Sequence, residues 1–169
     1  MCGTAGTGDD LVNLAGLAYD VNVHAAESVD FLTINTFEGN DTVVVSDGLS
    51  TIWGTALTTV DHVTINGGQG DDFLAGYGRL NGEAGNDTLT GNDSPSDGIL
   101  VSQTMNGGDG NDLIFGGDGD DALNGGAGED LFMGGSGADT IDGGEDWDAI
   151  LISGTTGNDV IDVNQTGAT

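Results

Sequence analysis

GGDGNDLIF GGDGDDALN GGAGEDLFM GGSGADTID GGEDWDAIL, running without a gap from Gly107 to Leu151, is one nine-residue phrase written five times. Each copy opens on paired glycines, with an aspartate sixth and a large apolar residue eighth. A short, strict period marks a chain that stacks one small unit instead of folding around a single globular core. Clustered glycines favour the positive-φ conformations of tight turns. The spacing therefore predicts GGxGxD as turn and the last three positions as strand, facing out, in and out. Ile114, Leu123, Phe132, Ile141 and Ile150 hold the inward position. Two nonapeptides close a coil of 18 residues, and equivalent turns stack about 4.8 Å apart. The expected fold class is all-β, a right-handed parallel β-roll or β-helix solenoid.

The phrase extends upstream. GGQGDDFLA at Gly67–Ala75 is a full match, and GEAGNDTLT at Gly82–Thr90 lacks only the second glycine. GYG followed by Arg79–Leu80–Asn81 reads as a shortened turn and a strand, and a longer loop leads to the strand Thr104–Met105–Asn106. SVDFLTINTFEGNDTVVV at Ser28–Val45 matches TVDHVTINGGQGDDFLAG at Thr59–Gly76 at an offset of 31. Asp10, Asp41, Asp72, Asp87, Asp112, Asp130 and Asp148 then fall on one edge, spaced 31, 31, 15, 25, 18 and 18, with Asp121 and Asp139 on the opposite edge. The organisation expected is one continuous solenoid. Residues 1–66 form irregular long coils, with a third strand around Val21–Val23. Residues 67–163 form the regular roll, with a loop insertion at 91–103, and 164–169 form a tail or the start of a next unit. GTTGNDVIDV at Gly154–Val163 echoes AGTGDDLVNL at Ala5–Leu14, as in a tandem array.

Composition narrows the function classes. The chain has 29 acidic residues against one basic residue, Arg79, for a formal charge of -28. Such a chain repels itself, and bound metal is the economical way to neutralise it. Nucleic acid is excluded as a partner because no basic patch exists to meet phosphate. No apolar run approaches the roughly 18–20 residues of a membrane span, and no secretory signal precedes the start, as for a piece of something larger. Cys2 stands alone, so no intrachain disulfide is expected.

Calcium takes several oxygen ligands and accepts backbone carbonyls as readily as carboxylates, whereas magnesium prefers a tight octahedron with retained water. Glycine-rich turns let carbonyls converge, and two stacked turns enclose an ion that one turn cannot. With five contiguous copies and further matches, the residues resemble the repeat-in-toxin (RTX) calcium-binding nonapeptide family, strongly over Gly67–Leu151 and partially elsewhere.

The resemblance implies several Ca2+ ions between turns one coil apart. One turn gives its first and third carbonyls with its aspartate, and the next gives its second and fourth with its own. On this chain that sets Gly107, Asp109 and Asp112 against Gly126, Gly128 and Asp130. It also sets Gly116, Asp118 and Asp121 against Gly135, Gly137 and Asp139. A third set joins Gly125, Ala127 and Asp130 to Gly144, Asp146 and Asp148, with Asp146 replacing the fourth glycine. Asp72 and Asp87 extend the row, and Asp41 and Asp10 extend it further without a first glycine.

Catalysis is not expected. His24 and His62 lack zinc-motif spacing, no G-x-S-x-G elbow is present, and the metal turns account for the paired acids. A glycan site would need an aromatic platform, but Trp53, Trp147, Tyr19 and Tyr77 are scattered. An ice-binding face would need a regular threonine array, which Thr88, Thr90 and Thr140 do not continue. The outward strand positions are asymmetric. One sheet presents Phe73, Ala75, Leu113, Phe115, Leu131, Met133, Ala149 and Leu151, and the other mostly polar residues such as Thr104, Asn106 and Asn124. An apolar stripe of that length predicts a protein partner or self-assembly, or cover from the loop Asn92–Ser102. The expected role is a calcium-folded scaffold, adhesin or filament segment of a secreted or cell-surface protein. The alternatives are a non-catalytic RTX segment of a larger secreted enzyme or toxin, and a glycan-binding module.

Overall fold

The structure, a computed structural model, describes residues 11–15, 31–45, 63–91, 102–151 and 158–162. Asp10, the strand expected around Val21–Val23, Cys2, His24, His62, Trp53, residues 92–101 of the insertion and the tail 164–169 lie outside them. The described residues are all strand and turn.

Among the described residues fourteen strands follow in order. They are β1 (Leu11–Ala15), β2 (Phe31–Glu38), β3 (Thr42–Val44), β4 (Val63–Gln69), β5 (Phe73–Gly76), β6 (Arg79–Ala84) and β7 (Thr88–Gly91), then β8 (Thr104–Asp109), β9 (Leu113–Asp118), β10 (Ala122–Ala127), β11 (Leu131–Ser136), β12 (Thr140–Glu145), β13 (Ala149–Ile150) and β14 (Val160–Asp162). From β2 onward they alternate between two parallel sheets. One runs β1-β2-β4-β6-β8-β10-β12-β14 and the other β3-β5-β7-β9-β11-β13. This is a parallel β-roll.

The register follows the repeat. β10 pairs with β12 as Leu123↔Ile141, and β9 pairs with β11 as Ile114↔Phe132, each at an offset of one 18-residue coil. The longer coils keep the same logic, with Ile34↔Ile65 and Val43↔Leu74 both offset by 31. Inward residues from the two sheets form one narrow core: Val63, Ile65, Leu80, Met105, Leu123 and Ile141 from one, and Leu74, Leu89, Ile114 and Phe132 from the other. Ile34, Val43 and Ile150 pack partly buried at its ends.

The strands are longer than the glycines suggest. In β9 to β12 the residues Gly-Gly-x continue the strand after the apolar triplet, so each strand holds six residues and only three remain as turn. The sequence expectation of a six-residue turn is corrected. The first glycine is passed over in the pairing: Asn124↔Asp142 is followed by Gly126↔Gly144, without Gly125 and Gly143. The second glycine then rejoins the ladder at positive φ, +113° at Gly126. Phe37 and Glu83 stand in that slot and adopt the same region, at 77° and 78°. A left-handed non-glycine residue costs of order 1–3 kcal/mol, so the stacked neighbours impose the shape.

Two outward expectations also change. Ala75 is 7% exposed, although the register pairs it with Val44 and Thr90 on the outward face. The apolar stripe is interrupted, because Thr88 and Thr90 of β7 lie between Phe73 of β5 and Leu113 and Phe115 of β9. On the other sheet the outward asparagines form an amide ladder: Asn66 Nδ2 donates to Asn35 Oδ1 and Asn81 Nδ2 to Asn66 Oδ1, both at 2.6 Å.

Phe132 is fully buried in a narrow core to which its strand contributes no other fully buried apolar side chain. Phe132→Ala is expected to cost about 3–5 kcal/mol, read as a lowered denaturant midpoint in saturating calcium. Ala122→Ser, on the exposed face of β10, is expected to leave that midpoint in place.

Candidate metal centre

Each turn closes on its sixth residue, and the two carboxylate oxygens of an aspartate there face different surroundings. Oδ1 accepts a hydrogen bond from the backbone N–H of its counterpart one coil earlier. Asp41 N donates to Asp72 Oδ1 at 2.7 Å, Asp72 N to Asp87 at 2.7 Å, Asp87 N to Asp112 at 2.8 Å, Asp112 N to Asp130 at 2.8 Å and Asp130 N to Asp148 at 3.1 Å. The opposite edge repeats the pattern, with Gln103 N to Asp121 at 2.8 Å, Asp121 N to Asp139 at 3.0 Å and Asp139 N to Asp159 at 3.2 Å.

Oδ2 has no such bond. In Asp41, Asp72, Asp87, Asp112, Asp121, Asp130, Asp139 and Asp148 it is buried without a hydrogen-bond partner. Asp72, Asp87, Asp112, Asp121, Asp130 and Asp139 are each no more than 3% exposed. An unpaired buried carboxylate oxygen is costly and demands an explanation such as an unseen ion.

The space beside Oδ2 supplies one. A Cβ added at Gly107 would strike Asp112 Oδ2 and lie 2.7 Å from the carbonyl oxygen of Gly125. One added at Gly125 would strike Asp130 Oδ2 and lie 2.5 Å from the carbonyl oxygen of Gly143. Gly67, Gly82 and Gly116 have the same surroundings, and at Gly134 and Gly143 the close oxygen is again Oδ2 of the same turn's aspartate. A carboxylate oxygen of one turn and a carbonyl oxygen of the next coil thus converge beside a residue that has no side chain. Converging oxygens with no proton between them repel, and a hard cation reverses the sign. Among the described residues no three His, Cys, Asp or Glu side chains form a metal cluster. A cation here therefore draws its remaining oxygens from the backbone. This donor set fits calcium.

The expected ligand sets occupy stacked turns. Gly108 and Asp109 pair with Gly126 and Ala127, and a Cβ at Gly128 would strike Gly110 O. Gly117 and Asp118 pair with Gly135 and Ser136, Gly137 lies against Gly119 O, and Ser136 Oγ donates to Asp118 Oδ1. Gly144 pairs with Gly126, while Asp146 takes the fourth-glycine position at φ 72°. Asp109 and Ala127 carbonyls already accept from Gly85 N at 2.8 Å and Gly110 N at 2.7 Å, so each keeps one lone pair for an ion. Gly116 and Asp121 converge with Gly134 O.

Fifth-position side chains add a second ladder, Asp71 N to Asn40 Oδ1 at 3.1 Å, Asn86 N to Asp71 at 2.8 Å, Asn111 N to Asn86 at 2.8 Å and Glu129 N to Asn111 at 2.9 Å.

Two sixth-position residues escaped the sequence reading. Asp159 completes the second edge, and GTTGNDVID already carried its repeat position. Gln103 occupies the same slot before β8, where an amide replaces the carboxylate and the insertion hides the preceding glycine, Gly91.

Burial pushes the carboxyls of Asp72, Asp87, Asp112, Asp121, Asp130, Asp139 and Asp148 up, against the lowering effect of the backbone N–H each accepts. Desolvation is the largest cause throughout, and neighbouring aspartates add to it at all but Asp112. Asp87 reaches about 6, and Asp121 and Asp130 about 7.

The profile of the RTX calcium-binding nonapeptide repeat (4 copies) matches residues 35–56, 61–78, 79–94, 102–132, 125–151 and 151–165. These segments cover most of the chain, and the chain belongs to that family of calcium-binding repeats. No curated protein and no solved structure matches it.

The pKa directions give a signed expectation. Raised folded values mean that, without metal, the fold binds more protons than the unfolded chain between about pH 4 and 7. Metal-free stability is therefore greatest below about pH 4 and falls as pH rises through about 7. Calcium must displace those protons, so its affinity should rise over the same interval. Circular dichroism in chelator at pH 4 and pH 8 checks the first expectation, with more β signal at pH 4. Calcium titrations at pH 5.5 and 7.5 check the second.

Proposed function

We propose that the chain is a non-catalytic, calcium-folded scaffold segment of a secreted or cell-surface protein. The buried, unpartnered Oδ2 oxygens carry this reading. Eight unpaired carboxylate oxygens inside so thin a core make the stacked form depend on an ion. Calcium at extracellular levels, with sites of about 10⁻⁴–10⁻³ M, makes folding a consequence of leaving the cell. The ligands proposed are the sixth-position aspartates from Asp72 to Asp148, with carbonyls of the adjoining glycine turns. Bound calcium supplies positive charge; the chain supplies the oxygens and the spacing. Chelated protein at pH 7.5 should lack β structure, and calcium should restore it cooperatively while equimolar magnesium does not. Circular dichroism unchanged by chelator would overturn the reading.

Self-association is favoured by one observation. The described outward positions of the apolar triplets of the six-stranded sheet hold no charged residue in a chain of charge -28, and Asp118 stands only at the turn end of β9. They carry Thr42, Val44, Phe73, Thr88, Thr90, Leu113, Phe115, Leu131, Met133, Ala149 and Leu151. Val44 is 60% exposed, Leu151 49% and Phe73 39%. On so acidic a molecule this is the face that approaches a neighbour without like-charge repulsion. Phe115→Ser with Met133→Ser is expected to shift calcium-loaded protein towards monomer in sedimentation velocity; an unchanged distribution would sink the idea. The wider protein's chemistry, adhesive, enzymatic or toxic, would reside outside this scaffold.

A further inference from the structure

We propose that the Asn–Gly bonds of the roll, Asn66–Gly67, Asn81–Gly82, Asn106–Gly107 and Asn124–Gly125, are sites of self-modification that the calcium-loaded stack holds closed and the metal-free chain undergoes. The inference rests on the calcium reading and adds what time without the ion does to the chain. These are the four Asn–Gly pairs of the sequence, and each falls at the same point of a coil. The register stacks Asn66↔Asn81, Asn81↔Asn106 and Asn106↔Asn124 on the outward face of the eight-stranded sheet. Asp142, followed by Gly143, continues the file.

The chemistry follows from glycine. With no Cβ beside it, the glycine nitrogen can reach the carboxamide carbon of the preceding asparagine, where a bulkier residue is hindered. A new N–C bond closes a five-membered succinimide, and the side-chain NH2 leaves with the glycine N–H proton as ammonia. Water then opens either carbonyl of the ring, giving aspartate or isoaspartate. Closure requires the peptide between the two residues to turn, and the roll prevents it. Each asparagine is paired to a strand on both sides, Asn66 between Asn35 and Asn81, and Asn124 between Asn106 and Asp142. The amide ladder ties Asn66 to Asn35 and Asn81 to Asn66 as well. Asn66 is buried, Asn81 and Asn106 are half-buried and Asn124 is exposed, so the fourth site is the least protected in the folded chain.

The glycine of each pair is the first glycine of an ion-holding turn. A Cβ at Gly67, Gly82, Gly107 or Gly125 would meet Oδ2 of Asp72, Asp87, Asp112 or Asp130 and the next coil's carbonyl oxygen. That space has no room for a longer backbone. Isoaspartate carries the chain through its side-chain carbon and adds one methylene between strand and turn, which moves the glycine away from those oxygens and breaks the register. The aspartate product is milder, adding a like charge to the file that ends on Asp142 and Asp162. Because neither product reverts, time spent without calcium becomes lasting loss of the calcium-driven fold.

The full wild-type chain is incubated at pH 8 and 37 °C in calcium or in chelator, and each Asn–Gly bond is mapped by mass spectrometry with fragmentation that separates aspartate from isoaspartate. Conversion should be about tenfold or more faster in chelator at all four sites, and in calcium it should be fastest at Asn124 and slowest at Asn66. Calcium added back should restore less β signal in circular dichroism the longer the chelated incubation. A chain carrying Asn66→Gln, Asn81→Gln, Asn106→Gln and Asn124→Gln, whose longer side chains do not close the five-membered ring, should keep its full recovery. If that variant folds poorly, the mapped wild-type rates still decide. Equal rates with and without calcium would overturn the proposal, as would full recovery of chain in which the four sites have become isoaspartate. A freshly chelated chain that keeps its β signal would instead overturn the functional reading itself.

Discussion

Everything in this fold depends on a carboxylate oxygen buried where nothing donates to it. Each sixth-position aspartate from Asp72 to Asp148 is fastened through Oδ1 to the coil before it, which turns Oδ2 towards the first glycine of its own turn and, in most turns, the next coil's carbonyl. One side chain thereby links coils in both directions, and its burial disfavours the charged form. The raised pKa values of Asp87, Asp121 and Asp130 express the same conflict in protons. Ion, proton and fold compete for the same oxygens.

The apolar core cannot settle that competition alone. Apart from β4, which contributes both Val63 and Ile65, each strand of the core contributes one fully inward side chain. Backbone pairing is dense, but a chain of charge -28 with 33 glycines loses much conformational entropy on ordering. Coils touch only their neighbours, so stability is a sum of coil and interface terms. An ion bound between turns would act on the interface term, so a small binding energy at each turn would bear on the whole stack.

Much of this was legible in the residues. The eighth-position row from Ile114 to Ile141 forms the core expected of it, and the 31-residue offset between Ile34 and Ile65 sets their register. The stacking of Asp41, Asp72, Asp87, Asp112, Asp130 and Asp148 along one edge follows from spacing alone. What misled was the glycine pair. Glycine reports conformational freedom, and Gly126 uses it inside a strand at φ +113° while still pairing with Gly108 and Gly144. Phe37 and Glu83 enter the same region without glycine's freedom, because the coil above and below fixes their φ. Gln103 was illegible for a related reason: its meaning comes from stacking on Asp121, not from any motif around it.

Unequal coils divide the molecule into two regimes. Between β5 and β6 only Tyr77 and Gly78 connect the sheets, so no acidic turn forms on that edge, and Gln103 follows where the next would stand. Around β4 to β7 the described acidic turns therefore lie on one edge, whereas Asp121, Asp139 and Asp159 give the later coils a second. Coils held by carboxylates on both edges carry twice the buried charge per coil, and gain most from cations. Coils held on one edge substitute the short Tyr77–Gly78 connection and the asparagine ladder from Asn35 to Asn81, both neutral. Within the described residues the pairing geometry is kept from β4 to β12 while acidic turns go from one edge to two, so the later coils hold more buried carboxylates for a cation to meet.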